Sequence, residues 1–323
     1  MKNLLITGGA GFIGSHFVEH ALKSNDHDFA QICILDLLTY SGLSSNVDIF
    51  KENSRVKFIR GDIADRNLVR SVILENQIDS IVNFAAESHV DRSILSSMPF
   101  IHSNVLGLTN LLESFRELCG GRFLQISTDE VYGSIPEGSW DETEPLSPNS
   151  PYSASKAGAD LISLAFQKTY NLNLCITRCS NNYGPRQFPE KLIPLFITNL
   201  IDGKKLPLYG SGENVRDWIY VSDHCLAIEK VLTLGLEGEV YNVGGHYEIS
   251  NLELTVEILR HFQGDKSLIS YVPDRLGHDF RYSVDDKKIR KNLDFENYVS
   301  FEEGLTKTVE WYKNHPAWWR KLK

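Results

Sequence analysis

The chain has 323 residues, 42% of them hydrophobic and 23% charged, the composition of an ordinary globular protein with ample core to fold unaided. A formal net charge of -9, with no long basic run to override it, excludes non-specific nucleic-acid binding. Five cysteines without a C-x-x-C pair argue against a disulfide framework and for a reducing, cytoplasmic setting, and no apolar run is long enough for a signal peptide or a membrane span.

Leu4-Leu5-Ile6 reads as a short buried strand, and Thr7 to Ser15 as a tight turn opening a helix that runs to about Lys23. Gly8, Gly11 and Gly14 fit G-x-x-G-x-x-G, and Gly9, Gly11 and Gly14 also satisfy G-x-G-x-x-G. Side chains at these positions would block both the turn and the approach of a pyrophosphate to backbone N–H groups at the helix start. A structural glycine turn would look the same. What separates the two is Ile32-Cys33-Ile34-Leu35 followed by Asp36, about twenty residues beyond the last glycine, where a ribose-binding carboxylate belongs. A carboxylate accepts from a free 2'-hydroxyl and repels a 2'-phosphate, so NAD is favoured over NADP.

Val56 to Ile59 is a third strand ending in Gly61-Asp62-Ile63, and Ser80 to Ala86 a fourth, with a helix from about Arg66 to Glu75 between them. Ala85 and Ala86 are small enough for a flat cofactor to lie against the backbone. Glu87 to Arg92 is a polar cluster that also fits a solvated loop with local ion pairs. From Pro99 to about Cys119 apolar residues recur at helical spacing. Phe123-Leu124-Gln125-Ile126 then reads as a buried parallel strand. If it continued, Asp129 and Glu130 would point to opposite faces and one would enter the core without a partner, so the strand is expected to end before them. At the carboxyl edge of an α/β sheet such a pair can serve as acid and base, although taken alone it also fits a loop cap.

A second long helix runs from Tyr152 to near Tyr170. Tyr152 and Lys156 emerge side by side on it, and a cation so placed is expected to lower the tyrosine pKa. Isolated Y-x-x-x-K is common on helix surfaces. His16 and His20, also one helical turn apart, lack a carboxylate or cysteine at matching spacing, so no metal site is expected. Cys175 and Cys179 read as small apolar fillers, and Trp311, Trp318 and Trp319 as anchors of the C-terminal tail.

Taken together, the glycine loop, Asn83 to Ser93, Ser127 to Gly133, Tyr152 to Lys156, Arg178 to Pro185, Pro189 to Pro194 and Arg216-Asp217-Trp218 resemble the extended short-chain dehydrogenase/reductase family, and within it the nucleotide-sugar 4,6-dehydratases. Thr128-Asp129-Glu130 is the most discriminating segment. The resemblance implies an α/β fold, a Rossmann-type doubly wound parallel sheet of residues 1–180 plus about 217–245, with a smaller C-terminal lobe of about 181–216 plus 246–323. It implies catalytic roles for Thr128, Asp129, Glu130, Tyr152 and Lys156, and NAD contacts from Gly8, Gly11, Phe12, Ile13, Gly14, Asp36, Leu37, Thr39, Asp62, Ile63, Ala85, Ala86, Ser103, Tyr152, Lys156 and Asn182. A nucleotide sugar, dTDP-glucose foremost, would be held by Ser88, Asn181, Glu190, Lys191, Leu192, Pro207, Tyr209, Arg216, Asn251, Arg275 and His278. Arg216 suits a diphosphate because its planar fork can bind two oxygens. A homodimer is implied, built on the helices beginning near Pro99 and Tyr152.

Ser211, Ser222, Leu276 and Phe280 depart from the family pattern around the nucleotide pocket. The rival readings are a 4,6-dehydratase, 4-epimerase or decarboxylase acting on a UDP-sugar, and an NAD-binding regulator without chemistry. The intact set of Thr128, Asp129, Glu130, Tyr152 and Lys156 argues against the regulator.

Overall fold

Short runs of leucine, isoleucine and valine without polar alternation are satisfied only when both faces are covered, and here they form parallel strands between helices. The computed structural model describes residues 2–24 and 29–323. Its large sheet contains β1 (Asn3–Thr7), β2 (Gln31–Asp36), β3 (Val56–Arg60), β4 (Ser80–Asn83), β5 (Phe123–Thr128) and β6 (Leu174–Cys179), in the order β3-β2-β1-β4-β5-β6. The strand order reverses between β1 and β4, where Thr7 pairs with Leu35 on one side and Asn83 on the other. Such a switch point opens a crevice at the carboxyl ends of the strands. A buried polar ladder ties those ends together: Thr7 Oγ1 donates to Asn83 Oδ1 at 2.5 Å, and Asn83 Nδ2 to Gln125 Oε1 at 2.7 Å.

Two elements differ from the sequence expectation. β4 stops at Asn83, because Phe84 to Ala86 cross over Gly8 instead of extending the strand. The apolar run continues only because Phe84 packs against Phe17, with ring centroids 5.5 Å apart. The Pro99 segment is helical but not uniform, since Ile101–Gly107 widens into a π-turn before the α-helix Leu108–Leu118. There Asn104 clamps the loop after β4, accepting from Glu87 N at 2.9 Å, donating to Glu87 O at 3.0 Å and reaching Ser155 Oγ at 2.8 Å. The helix Pro151–Tyr170 starts with a Ser150–Ser153 capping box and a proline in its first turn, and it ends at Asn171 in the left-handed region.

After β6 the chain builds a smaller lobe. Its β7 (Asn181–Tyr183) runs parallel to β9 (Val215–Tyr220), while β8 (Leu206–Tyr209) pairs with a later strand. The chain then returns to the large sheet as β10 (Val240–Val243), parallel to β6, and all seven strands of that sheet are parallel. β11 (Glu248–Ser250) and β12 (Ile269–Val272) complete the lobe, antiparallel to β9 and parallel to β8 respectively. Phe196, Trp218, Leu254, Tyr312 and Trp319 form its core.

The crossing near 246 falls between β10 and β11, whereas the one expected at 217 and a later segment are placed differently. β9 stays in the lobe sheet through Tyr220, and Ile289, Leu293 and Phe295 pack in the core of the large sheet. We propose boundaries that follow these contacts. Among the described residues, no helix is long and apolar enough to cross a membrane.

Trp319 is fully buried and its indole N–H donates to Tyr312 O at 2.9 Å, so the tail is part of the lobe core. Trp319→Ala is expected to cost about 3–5 kcal/mol, read as a lower urea midpoint. An unchanged midpoint would show that the tail contributes nothing to the lobe.

Candidate active site

The crevice at the switch point is a cavity of about 910 Å³. Its floor is the glycine loop. Gly8 has φ +67°, and a Cβ there would fall 2.6 Å from Ala85 N. A Cβ on Gly14 would lie 2.4 Å from Gly8 O, so the loop closes this tightly only with glycine. Helix α1 (Phe12–Lys23) begins at Gly11 with no side-chain cap and no acid in its first turn, which leaves its N–H groups and positive dipole end for an anion.

At the end of β2, Asp36 is buried and accepts from Ala10 N at 2.9 Å and Leu38 N at 2.8 Å, one bond to each oxygen. Its remaining lone pairs are available to a diol. Leu37, Thr39, Asp62, Ile63, Ala85, Ala86 and Ser103 line the same cavity, as do Phe12 and Ile13. Asn182 also lines it, with its amide held by His224 Nδ1 at 2.8 Å and Ser180 O at 3.0 Å. An anion cradle, a buried carboxylate and a small-residue wall fit a dinucleotide with a free 2'-hydroxyl.

Across the cavity β5 ends at Thr128, and Asp129–Tyr132 forms a single 3₁₀ turn, so the two carboxylates leave the strand as expected. Thr128 caps the turn: its hydroxyl accepts from Glu130 N at 3.3 Å and donates to Asp129 Oδ1 at 3.1 Å. Asp129 Oδ2 is buried and has no hydrogen-bond partner among the described residues. Burial, then repulsion from Glu130, raises the Asp129 carboxyl far above the ordinary range. Burial also raises Glu130, but the nearby Arg275, Arg216 and Lys191 pull it back. The two environments therefore separate a proton holder from an ionisable base.

Tyr152 and Lys156 line the cavity beside this pair. The expected lowering of the tyrosine pKa is not produced by the fold alone. Burial pushes Tyr152 well up, Glu130 and Asp129 push it further, and a hydrogen bond with Thr128 opposes them. The Lys156 ammonium donates to Ile126 O, and burial lowers its pKa while Asp160 raises it. Burial and the neighbouring carboxyls, and not Lys156, therefore set the direction of the Tyr152 shift.

Of the expected substrate residues, Ser88, Asn181, Glu190 and Lys191 line the cavity, and Lys191 Nζ donates to Ser88 O at 3.0 Å. Leu192, Pro207, Tyr209, Arg216, Asn251, Arg275 and His278 lie on the lobe outside that lining. Arg216, expected to grip a diphosphate, is already engaged by the protein. Its Nη1 donates to Val215 O and Phe280 O and its Nη2 to Asp279 O, with the guanidinium 4.4 Å from the Tyr282 ring centroid. Much of the fork is thus spent on backbone carbonyls. Asn251 is buried at a helix start with Oδ1 unpartnered among the described residues, and Tyr209 meets the His278 ring edge-on.

The sequence reading missed Tyr40, Ser127 and Cys179, all of which line the cavity. Cys179, read as filler, ends β6, and its position at the carboxyl edge of a parallel strand was the available signal. His16 and His20 face Pro185 O at 2.8 Å and Glu229 at 2.7 Å.

The family model described as GDP-mannose 4,6 dehydratase matches residues 5–308. A dTDP-glucose 4,6-dehydratase of Streptomyces niveus is 52% identical over 322 residues, covering 99% of this chain and 95% of that one. A solved dTDP-glucose 4,6-dehydratase from Streptomyces venezuelae with NAD bound superposes with TM-score 0.97 at 50% identity, covering 99% of this chain and 100% of that chain. A UDP-glucose 4-epimerase from Thermotoga maritima reaches TM-score 0.89 at 29% identity, covering 97% of this chain and 99% of that chain.

The raised carboxyls set a pH dependence for the unliganded protein. A raised folded-state pKa means that the folded chain holds protons which the unfolded chain has released, so this contribution to stability falls as pH rises above the unfolded value. Asp129→Asn, neutral at every pH, is expected to melt at a higher temperature than the parent at neutral pH, with the gain vanishing near pH ~4. Equal melting temperatures at neutral pH would show that Asp129 ionises without penalty.

Proposed function

Because the chain belongs to the GDP-mannose 4,6-dehydratase family, we infer that it is an NAD-dependent hydro-lyase that converts dTDP-glucose to dTDP-4-keto-6-deoxyglucose and water. The observation that carries this reading is the Asp129–Glu130 turn, which lines one cavity together with Tyr152 and the glycine cradle. An epimerase has no use for two such carboxyls. NAD, when bound, supplies a reversible hydride carrier, so that C4 can be oxidised and C6 reduced within one cycle.

The protein's own work is proton handling. We assign Tyr152 to take the C4 hydroxyl proton, with Thr128 and Lys156 beside it. Its raised pKa makes the phenol a poor base until substrate and cofactor alter its surroundings. Once C4 is a ketone the C5 hydrogen is acidic, and Glu130 removes it, kept ionisable by Arg275, Arg216 and Lys191. Asp129 holds the proton that the departing C6 hydroxyl requires. We assign the cofactor residues, and the substrate residues other than Arg216, the roles the resemblance implies, with Arg216, Arg275 and Lys191 acting on the electrostatics of Glu130.

A dimer and a cytoplasmic setting complete the reading. Ile101, Leu106 and Leu161 are exposed large apolar residues on the helices beginning near Pro99 and Tyr152, which supports an interface there.

Product analysis with dTDP-glucose and UDP-glucose side by side tests the assignment, and a 4-keto-6-deoxy product from the former is expected. Deuterium placed at C4 should be recovered at C6; its loss to solvent would sink the internal hydride transfer. Glu130→Gln and Asp129→Asn should each slow turnover by roughly 10²- to 10⁴-fold while NAD remains bound.

A further inference from the structure

Beneath the cavity lies a charged network that the reaction as assigned does not use. Arg178, on β6, is buried, and its Nε donates to Asp160 Oδ2 at 2.8 Å, with Asp160 fully buried. Arg178 Nη1 donates to Tyr132 Oη at 2.7 Å, and the guanidinium sits 4.8 Å from the centroid of the same ring. Tyr132 Oη in turn donates to Asn242 Oδ1 at 2.9 Å, and Asn242 Nδ2 is held by Trp140 O and Asp285 O. Ionic groups buried this deeply are weak evidence for stability, because desolvation offsets their attraction and apolar replacements often do as well. Their placement calls for another explanation.

Each partner of Arg178 belongs to a different half of the chemistry. Tyr132 closes the turn that begins with Asp129 and Glu130. Asp160 sits one helical turn beyond Lys156, which itself lies one turn beyond Tyr152. We propose that Arg178 is a positioning residue that fixes the elimination turn through Tyr132 and the tyrosine–lysine helix through Asp160. The two limbs support separate chemical steps, an assignment that rests on the dehydratase reading above.

The Tyr132 limb sets where the Glu130 and Asp129 carboxyls stand relative to C5 and C6. The Asp160 limb acts on Lys156. Burial disfavours the Lys156 ammonium, Asp160 on the same helix is the largest opposing influence, and Cys179 on β6 is the next. Arg178 lies beyond Asp160, while Asp129 and Glu130 act from the turn on Tyr152. Neutralising Asp160 removes the support for the ammonium, so Lys156 loses its proton at lower pH.

Tyr132→Phe and Asp160→Asn test the two limbs; Asp160→Asn keeps an amide oxygen to accept from Arg178 but leaves that guanidinium without a counter-charge, so its stability is read beside its kinetics. Turnover of dTDP-glucose deuterated at C4 or at C5 is compared with that of the unlabelled sugar in NAD-loaded parent and variants, alongside melting temperatures. For Tyr132→Phe, turnover is expected to fall roughly 10- to 100-fold, with a larger C5 isotope effect and a smaller C4 effect. For Asp160→Asn the C4 effect should grow instead, and the alkaline loss of activity should move to lower pH. A merely structural network would change melting temperature and total rate and leave both isotope effects where they were, which overturns the proposal, as would parent-like turnover in both variants. A parent that forms no 4-keto-6-deoxy product would sink the dehydratase reading itself and the two-limb assignment with it.

Discussion

The site depends on where β5 stops. Two further residues of extended backbone would drive either Asp129 or Glu130 into the apolar core behind the sheet. Ending the strand at Thr128 and folding the next residues into a single 3₁₀ turn puts both carboxyls beside one cavity, and the Thr128 hydroxyl accepts from the Glu130 N–H of that turn. A packing conflict latent in the sequence is thereby converted into a pair of acids at one cavity, Asp129 buried and Glu130 partly exposed. The parallel sheet supplies the rest, since all its carboxyl ends face the same way and deliver the glycine loop, Asp36, the acidic turn and Cys179 to one edge.

Burial is the dominant electrostatic term there. It raises Asp129, Glu130 and Tyr152 and lowers Lys156 and Lys191, so every one of these groups is biased toward its neutral form. Differences between them come from neighbours. Asp129 sees mainly another carboxyl, whereas Glu130 sees three cations, and this separates two groups that are adjacent in the chain. The cations come from the smaller lobe: Lys191 precedes the helix Leu192–Ile201, Arg216 lies on β9 and Arg275 follows β12. The smaller lobe therefore sets the positive charge that Glu130 meets.

Buried polar residues also tie together the segments that carry the cavity lining. Thr7, Asn83 and Gln125 knit the strand ends, Asn104 pins the loop after β4 through a widened helical turn, and Arg178 bridges the acidic turn and the Tyr152 helix. Each of these contacts joins segments distant in sequence. Positions that must hold within a fraction of an ångström are supported from below by hydrogen-bonded polar groups.

Much of this was legible in the residues alone. Local pattern determined the strands β1 to β3 and β5, the helices after the glycine loop and from Pro151, and the glycine–Asp36 spacing, because those signals arise from neighbours in the chain. The Thr128-Asp129-Glu130 and Tyr152–Lys156 sets were visible for the same reason. The end of β4, the π-turn at Ile101–Gly107 and the return of residues near 289 to the large core were not, since each is decided by a partner far away: Gly8, Glu87 and the face of β10. Tertiary structure alone also decided the ionisation. Spacing placed a lysine beside a tyrosine and implied an activated phenol, but the depth of the cavity and the nearby carboxyls set the opposite direction for the unliganded site. Sequence determines which groups are near each other along a helix or turn. How much water they lose, and which distant charges they meet in its place, depends on the whole fold.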